Sequence, residues 1–251
     1  MDERLRPFKK SANYYDLIYD TVGKDYRKET KRLRALIQNC KQSKGKDLLD
    51  VACGTGRHIQ CMRKFYSCEG LDIQPRLLTI ARKRNPRVKF HRGNMLTFDL
   101  HRQFDAITCL FSAIGYMRTI RELNLAIRNM ARHLKPGGVI IVEPWLTPDK
   151  IIPGHVGAVF VNQPKLKIAR MNILVTKGRL SVFKLHYLVG TPDGVKYMTE
   201  LNEFGLFTHA EYLAAFRKAG LKVTYDRKGL IGRGLYIGVK PIKGKQEVRR
   251  T

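Results

Sequence analysis

Acidic residues are scarce in this chain. Its 251 residues include 48 lysines and arginines against 21 aspartates and glutamates, a formal charge of +27. Long apolar runs are also missing. Stretches such as Gly138 to Val142 are strand-sized, which excludes a membrane-spanning helix. The opening MDERLRPFKK is charged and no apolar block follows, so no secretory signal is expected. The five cysteines (Cys40, Cys53, Cys61, Cys68 and Cys109) form no C-x-x-C pair, so reduced thiols in a cytoplasmic protein are expected rather than a disulfide framework. None of the seven histidines stands at metal-ligand spacing from a cysteine or carboxylate, and no metal is expected. There is no repeat and no low-complexity segment.

The positive charge raises nucleic acid as a partner. However, the excess is spread almost evenly from end to end, and the one basic run is the short stretch Lys240 to Arg250. An even coat favours a solvated basic surface over a nucleic-acid site. The apolar share, 43%, is that of a chain with a packed core.

Periodicity divides the chain. Residues 1–46 are helical in pattern, with Tyr15, Ile18 and Tyr19, then Leu33, Leu36 and Ile37, at helical spacing. Residues 47–150 alternate strand and helix. Strands are expected at 46–52, 68–72, 88–91, 104–110 and 139–142. Helices are expected at 57–65, from Pro75 to Arg84, and from Ile120 to Leu134, the last ended by Lys135-Pro-Gly-Gly138. Such alternation implies an α/β fold with a parallel, doubly wound sheet. Over 151–206 the pattern changes to four antiparallel strands with turns at Lys177-Gly178 and Pro192-Asp-Gly194, a β-rich cap insertion. Residues 207–240 return to helix and strand and complete the core sheet, and 241–251 form a basic tail.

The first strand runs into Asp50-Val-Ala52-Cys-Gly54-Thr-Gly56. Glycines there let the backbone turn sharply and approach a ligand, and the following helix start offers free N–H groups. Asp50 can accept from an ammonium group. Asp72, followed by Ile73, ends the second strand about twenty residues on, where an acid can bind ribose hydroxyls. A dinucleotide fits poorly: Ile59 stands where the third glycine of G-x-G-x-x-G would be, and an acid within the turn repels a pyrophosphate. The arrangement suits S-adenosylmethionine. Asn94 and Met95 follow the third strand, where adenine should lie. Leu110-Phe111-Ser112 follows the fourth and should line the floor near the methyl sulfonium.

The stretches LLDVACGTGRHI (48–59), GLDIQPRLLTIARKRNP (70–86), FDAITCLFSAIGY (104–116) and HLKPGGVIIVEPW (133–145) resemble class I S-adenosylmethionine-dependent methyltransferases with a Rossmann-like sheet. More narrowly, the chain resembles the desosamine and mycaminose N,N-dimethyltransferases, which methylate the 3-amino group of a dTDP-linked 3-amino-3,6-dideoxyhexose. The resemblance extends over YDLIYDTVGKDYRKE (15–29), LHYLVGTPDGVKY (185–197) and residues 206–239. It implies that Tyr15 and Tyr26 lie on N-terminal helices that close over the cofactor. It places Tyr116 beside the sugar amine and sets Trp145, Arg170, His186, Tyr187 and Arg233 around the nucleotide-sugar pocket. The chain departs from the family where G-D-M becomes Gly93-Asn94-Met95, and where E-P-W-W-F-P becomes Glu143-Pro-Trp-Leu-Thr-Pro148.

The expected reaction is in-line transfer of a methyl group to a neutral amine, for which alignment matters more than an obligate base. Tyr116 is the candidate for orienting the amine, His186 for relaying a proton and Glu143 for binding the incoming ammonium. Arg170 and Arg233 are candidates for clamping a diphosphate. The expected partner is therefore an anionic small molecule, and the cap is a place where a homodimer could form. Methyl transfer to another small metabolite is the rival reading. RNA is disfavoured, because Phe111-Ser-Ala-Ile-Gly115 stands where base-amine methyltransferases carry an Asp/Asn-Pro-Pro-aromatic motif.

Overall fold

The structure is a computed structural model that describes residues 8–242; residues 1–7 and 243–251, and with them most of the expected basic tail, lie outside the described residues. Two short helices come first. Helix α1 spans Tyr15–Thr21, and α2 spans Tyr26–Cys40 with Asp25 accepting from the Arg27 and Lys28 amides as its cap. The alternating core follows: β1 Asp47–Val51, α3 Arg57–Met62, β2 Ser67–Asp72, α4 Pro75–Arg84, β3 Lys89–Arg92, β4 Phe104–Cys109, α5 Ile120–Arg132 and β5 Leu134–Val142. Four long strands come next: β6 Val156–Gln163, β7 Leu166–Lys177, β8 Leu180–Thr191 and β9 Gly194–Gly205. Helix α6 His209–Lys218, β10 Lys222–Asp226 and β11 Leu235–Val239 complete the order.

The core sheet has the order β10-β11-β5-β4-β1-β2-β3. Its five strands β1 to β5 are mutually parallel, while β11 runs antiparallel to both β5 and β10. Every residue of β4 is buried, as a strand covered by helices on both faces requires. On one side α5 and α6 pack Leu123, Ile127, Met130 and Phe216 against the sheet. On the other, α2, α3 and α4 contribute Leu33, Ile37, Ile59 and Leu78. The strand order reverses between β1 and β4, so the crevice at their carboxyl ends is open to a ligand.

Two expected boundaries move. Helix α3 stops at Met62, three residues before the expected end. Lys135-Pro-Gly-Gly138, expected to be only a helix stop, lies within β5. The register there jumps from Phe104 opposite Leu134 to Ala106 opposite Val139, so these residues bulge between two paired stretches. The bulge is anchored by Gly137, whose carbonyl accepts from Gln42 and Ser43 and whose N–H donates to Lys240. The cap strands run longer than their apolar periodicity suggested, because paired backbone continues through polar residues to each turn.

The four-stranded antiparallel sheet, β6-β7-β8-β9, packs its inner face on α1. Ile18 enters a cluster with Val159, Ile168, Leu185, Tyr187 and Val189. The far end of β9 meets the core at the short turn Ala113–Tyr116, where Tyr116, Trp145, Phe183 and Phe204 pack edge to face or stacked. The sheet is thus fixed to the core by an aromatic cluster at one end and to helix α1 along its face.

A buried carboxylate joins the loop before β1 to the rest of the core. Asp105, 1% exposed, accepts from the amides of Gly45 and Asp47 and from the Lys135 ammonium. Burial opposes its ionisation, but the Lys135 contact and the backbone amide override it, and its pKa lies below the usual carboxylate value. A depressed pKa gives stability that is present above the unfolded value and lost as pH falls from there through the folded value, so thermal stability should decline below about pH 4. Asp105→Ala, which strands the partners, should cost about 2 kcal/mol or more in chemical denaturation at pH 7 and flatten that acid limb.

Candidate functional site

The crevice at the ends of β1 and β4 opens into a cavity of about 430 Å³, within the range of small-molecule sites. A smaller recess of about 30 Å³ adjoins it and shares Tyr15, Ala52, Gly54 and Leu110. Backbone strain concentrates here. Non-glycine residues with left-handed φ include Ala52 (59°), Phe111 (53°) and Ser112 (61°), all on the two loops that leave β1 and β4. Such conformations cost free energy and persist where surrounding contacts enforce them.

The glycine turn is held by the second strand. The Asp72 carboxylate accepts from the Gly54 amide and from the Gln74 amide, each at 2.8 Å. A Cβ built on Gly54 would meet nothing within 4 Å, so that position faces the open cavity. Gly56 differs. A Cβ there would lie 2.9 Å from the Asn85 side chain and 3.2 Å from Ala81, and its φ is 72°. Gly56 therefore lets α4 pack against the turn and lines neither cavity, contrary to its expected place beside the cofactor.

Asp50 lies at the floor of the recess, 3% exposed, and accepts from Thr108 across the β1–β4 pair at 2.7 Å. Burial raises its pKa. Burial also pushes Asp72 up to about 6, against the pull of the two amides. Ile73, Asn94, Met95 and Leu110 line the main cavity as apolar or small polar wall. The Asn94 oxygen, expected to accept from adenine, accepts the Leu96 amide at 2.9 Å and so makes a local turn.

Helix α1 forms the opposite wall. Asp16 accepts from Thr55 at 2.6 Å and from Arg84 at 2.5 Å, which fastens the helix to the glycine turn. Tyr15 and Tyr19 then stack edge to face over the site, and Tyr19 meets Phe111. Tyr26, at the start of α2, lines the recess with Lys24, Thr55, Arg57 and His58. The Lys24 ammonium binds Glu29 at 2.7 Å and sits 3.9 Å above the Phe111 ring. His58 binds the other side of Glu29 at 2.7 Å.

The acceptor end of the cavity is built by the four-stranded sheet and the loop before β11. Trp145, Arg170, Arg233, Tyr116 and Asn202 line it. Arg233 donates to Ser112 and lies 4.6 Å over the Trp145 ring. Arg170 faces the Tyr19 ring at 5.5 Å, and its Nε is buried with no protein partner.

Three expected acceptor-end residues lie elsewhere. Glu143 is fully buried, and its carboxylate accepts the Phe111 amide at 2.6 Å. It supports the strained loop from behind and lines neither cavity. Tyr187 is 1% exposed and packed in the α1 cluster. His186, between buried Leu185 and Tyr187, points to the outer face of the sheet, where it meets the Tyr197 hydroxyl at 2.6 Å. Strand alternation turns it from the cavity. Conversely, Tyr19, Lys24, His155 and Asn202 line the site without having been singled out. No motif marks them, because tertiary packing alone brings them in. Among the described residues no group of histidine, cysteine and carboxylate side chains could hold a metal, and no helix is long and apolar enough to cross a membrane. The five cysteines are unpaired, and burial pushes the Cys68 thiol up to about 12.

Comparison with known proteins agrees with this geometry. A methyltransferase domain family matches residues 48–138. The dTDP-3-amino-3,6-dideoxy-alpha-D-glucopyranose N,N-dimethyltransferase of Streptomyces fradiae is 40% identical over 236 residues, 93% of this chain and 92% of that one. The chain belongs to this family of S-adenosylmethionine-dependent methyltransferases. Among solved structures, Streptomyces venezuelae DesVI matches with a TM-score of 0.86 at 40% identity, covering 91% of this chain and 98% of that one. SAM-bound CalS10, an amino pentose methyltransferase from Micromonospora echinaspora, matches at 0.82 and 36% identity, covering 90% and 96%.

The residues fit the methyl donor. Gly54 leaves open space, Asp72 faces the main cavity and Asp50 the recess, and Lys24 and Arg57 line that recess. When bound, S-adenosylmethionine supplies a sulfonium-activated methyl group that an acceptor lone pair takes in line as the carbon–sulfur bond breaks. With Asp72 as the expected ribose partner, and its ionised form the stronger acceptor, affinity for S-adenosylhomocysteine should be level above pH 7 and weaken as pH falls through about 6. Asp72→Asn should weaken binding throughout and remove that pH dependence in calorimetry.

Proposed function

We propose that this methyltransferase transfers methyl groups to the amine of a nucleotide-linked amino sugar, in the cytoplasm. The carrying observation is the separation of charge within one cavity: the Asp72 carboxylate at the glycine-turn end, and the guanidiniums of Arg170 and Arg233 at the acceptor end. Guanidinium forks suit a diphosphate, and Arg170 keeps a buried N–H without a protein partner. The acceptor substrates named for the relatives in Streptomyces fradiae and Streptomyces venezuelae, dTDP-amino sugars, carry both a diphosphate and an amine.

Each residue of the site then has a task that geometry explains. Arg170 and Arg233 hold the anion, and Trp145 packs under Arg233. Tyr15 and Tyr19 exclude water above the reacting atoms, which strengthens every polar contact below them. Burial, with Tyr19 and Asp72 nearby, keeps the Tyr116 phenol protonated well beyond neutral pH. Tyr116 therefore orients the amine and does not deprotonate it; the product proton leaves to solvent. Glu143 acts through the Phe111 amide by holding the loop beneath the site.

The partner we infer for the outer face of the cap sheet is a second copy of the chain. Nine of the fifteen exposed large apolar side chains among the described residues lie on its strands. Phe160, Ala169, Leu188 and Tyr197 form one cross-strand row, and Ala158, Met171, His186 and Thr199 the next. Three strands are twelve residues long and β6 is eight, so the face covers about 700 Å², near the roughly 800 Å² per partner of a stable interface. On a chain this basic, two rows without a lysine or arginine are where two copies can meet with least repulsion.

Labelled S-adenosylmethionine with a dTDP-3-amino sugar should yield a labelled sugar nucleotide; label passing only to other acceptors would refute the assignment. Arg233→Ala should raise KM for the sugar nucleotide about tenfold or more while lowering kcat less. Sedimentation should give a dimer, and the pair Leu188→Lys, Tyr197→Lys should sediment as a folded monomer.

A further inference from the structure

The Tyr116 hydroxyl donates to the Asn202 side-chain oxygen at 2.9 Å. Tyr116 stands on the core turn after β4, and Asn202, 3% exposed, stands on the inner face of β9. Both line the acceptor end of the cavity. The phenol ring is clamped edge-on by Phe204 at 4.6 Å, and Phe204 is held in turn by Trp145 and Phe183. The hydroxyl is therefore fixed in place by aromatic packing and fixed in direction by Asn202.

A phenol has one hydrogen to give and lone pairs to receive with. Once the hydrogen is committed to Asn202, the oxygen can only accept from a substrate. That polarity matters for an amine nucleophile. A donor at this point would occupy the nitrogen lone pair and block its attack. An acceptor engages an N–H instead and leaves the lone pair free to aim at the methyl group.

We propose that Asn202 is a positioning residue that holds Tyr116 as an acceptor for the substrate N–H, and that this contact ends the reaction at two methyl groups. The proposal rests on the amino-sugar reading above. Each transfer forms one N–CH₃ bond and releases one N–H hydrogen to solvent as a proton, so the nitrogen stays neutral for the next round. A primary amine has two N–H bonds and a monomethylated amine one, so both can be held. A dimethylated amine has none, loses its anchor and leaves.

The test uses the full chain with S-adenosylhomocysteine for binding and S-adenosylmethionine for turnover. Calorimetry on the wild type should show primary and monomethylated amino sugars binding about tenfold or more tighter than the dimethylated one. Asn202→Leu should lower kcat about tenfold or more with a smaller change in KM and accumulate monomethyl product by mass spectrometry. Asn202→Asp, whose carboxylate also accepts from the phenol, should restore dimethylation. Tyr116→Phe should behave as Asn202→Leu does, and the double variant should be no worse than either single one. An Asn202→Leu enzyme with the wild-type product ratio, or a folded Asn202→Asp enzyme that still stops at one methyl, would overturn the proposal. The amino-sugar reading is judged on the wild type alone and this inference on the variants, so the two failures are distinguishable; a wild type that methylates no amine overturns both.

Discussion

The carboxylate of Asp72 is the constraint on which the site depends. It accepts two backbone amides, one from the glycine turn after β1 and one from the turn after β2, and so holds two loops at a set distance. Those loops are the walls of the crevice that the strand order opens between β1 and β4. A buried carboxylate with free lone pairs on the cavity side remains available to ribose hydroxyls after both amides are satisfied. The same burial that makes the contact strong raises its pKa toward 6, so the site is built at some electrostatic cost, relieved when a ligand supplies further donors.

Around that crevice the molecule spends conformational strain in one place. Ala52, Phe111 and Ser112 all adopt left-handed backbone, and the last two are held from outside. Glu143 grips the Phe111 amide, and Ser112 bonds both the Pro144 carbonyl and Arg233. Arg233 thus belongs to two systems, a guanidinium facing the cavity and a strut for the loop beneath it. The inserted sheet completes the wall by carrying Arg170 and Asn202 inward while outward side chains such as Phe160, Leu188 and Tyr197 remain exposed. Helix α1 bridges the two parts, with Ile18 in the sheet cluster and Asp16 on the glycine turn.

Much of this was legible beforehand. Alternating strand and helix patterns identify the doubly wound core, because a strand buried on both faces needs a continuous apolar run and its helices need an apolar stripe. The places of Asp50, Gly54 and Asp72 in the fold are legible because the two acids end strands that pair side by side in parallel and the glycine follows the first of them. Gly56 was misjudged because two glycines in one turn look alike in sequence, yet one faces open space and the other faces Asn85. His186 was misjudged because one residue of register decides which face of a strand a side chain occupies.

The sequence by itself determined the fold class, the cofactor turn and the apolar alternation of the inserted strands, since each depends on local spacing and backbone chemistry. Only the tertiary structure decided which side chains converge on the acceptor. His155 and Asn202 come from the loop before β6 and from β9 of a distant sheet. Tyr116 and Asn202 are 86 residues apart and meet only because β9 lies against the turn after β4. No local pattern encodes such a meeting, because the energy that selects it is the packing of the whole sheet on the core.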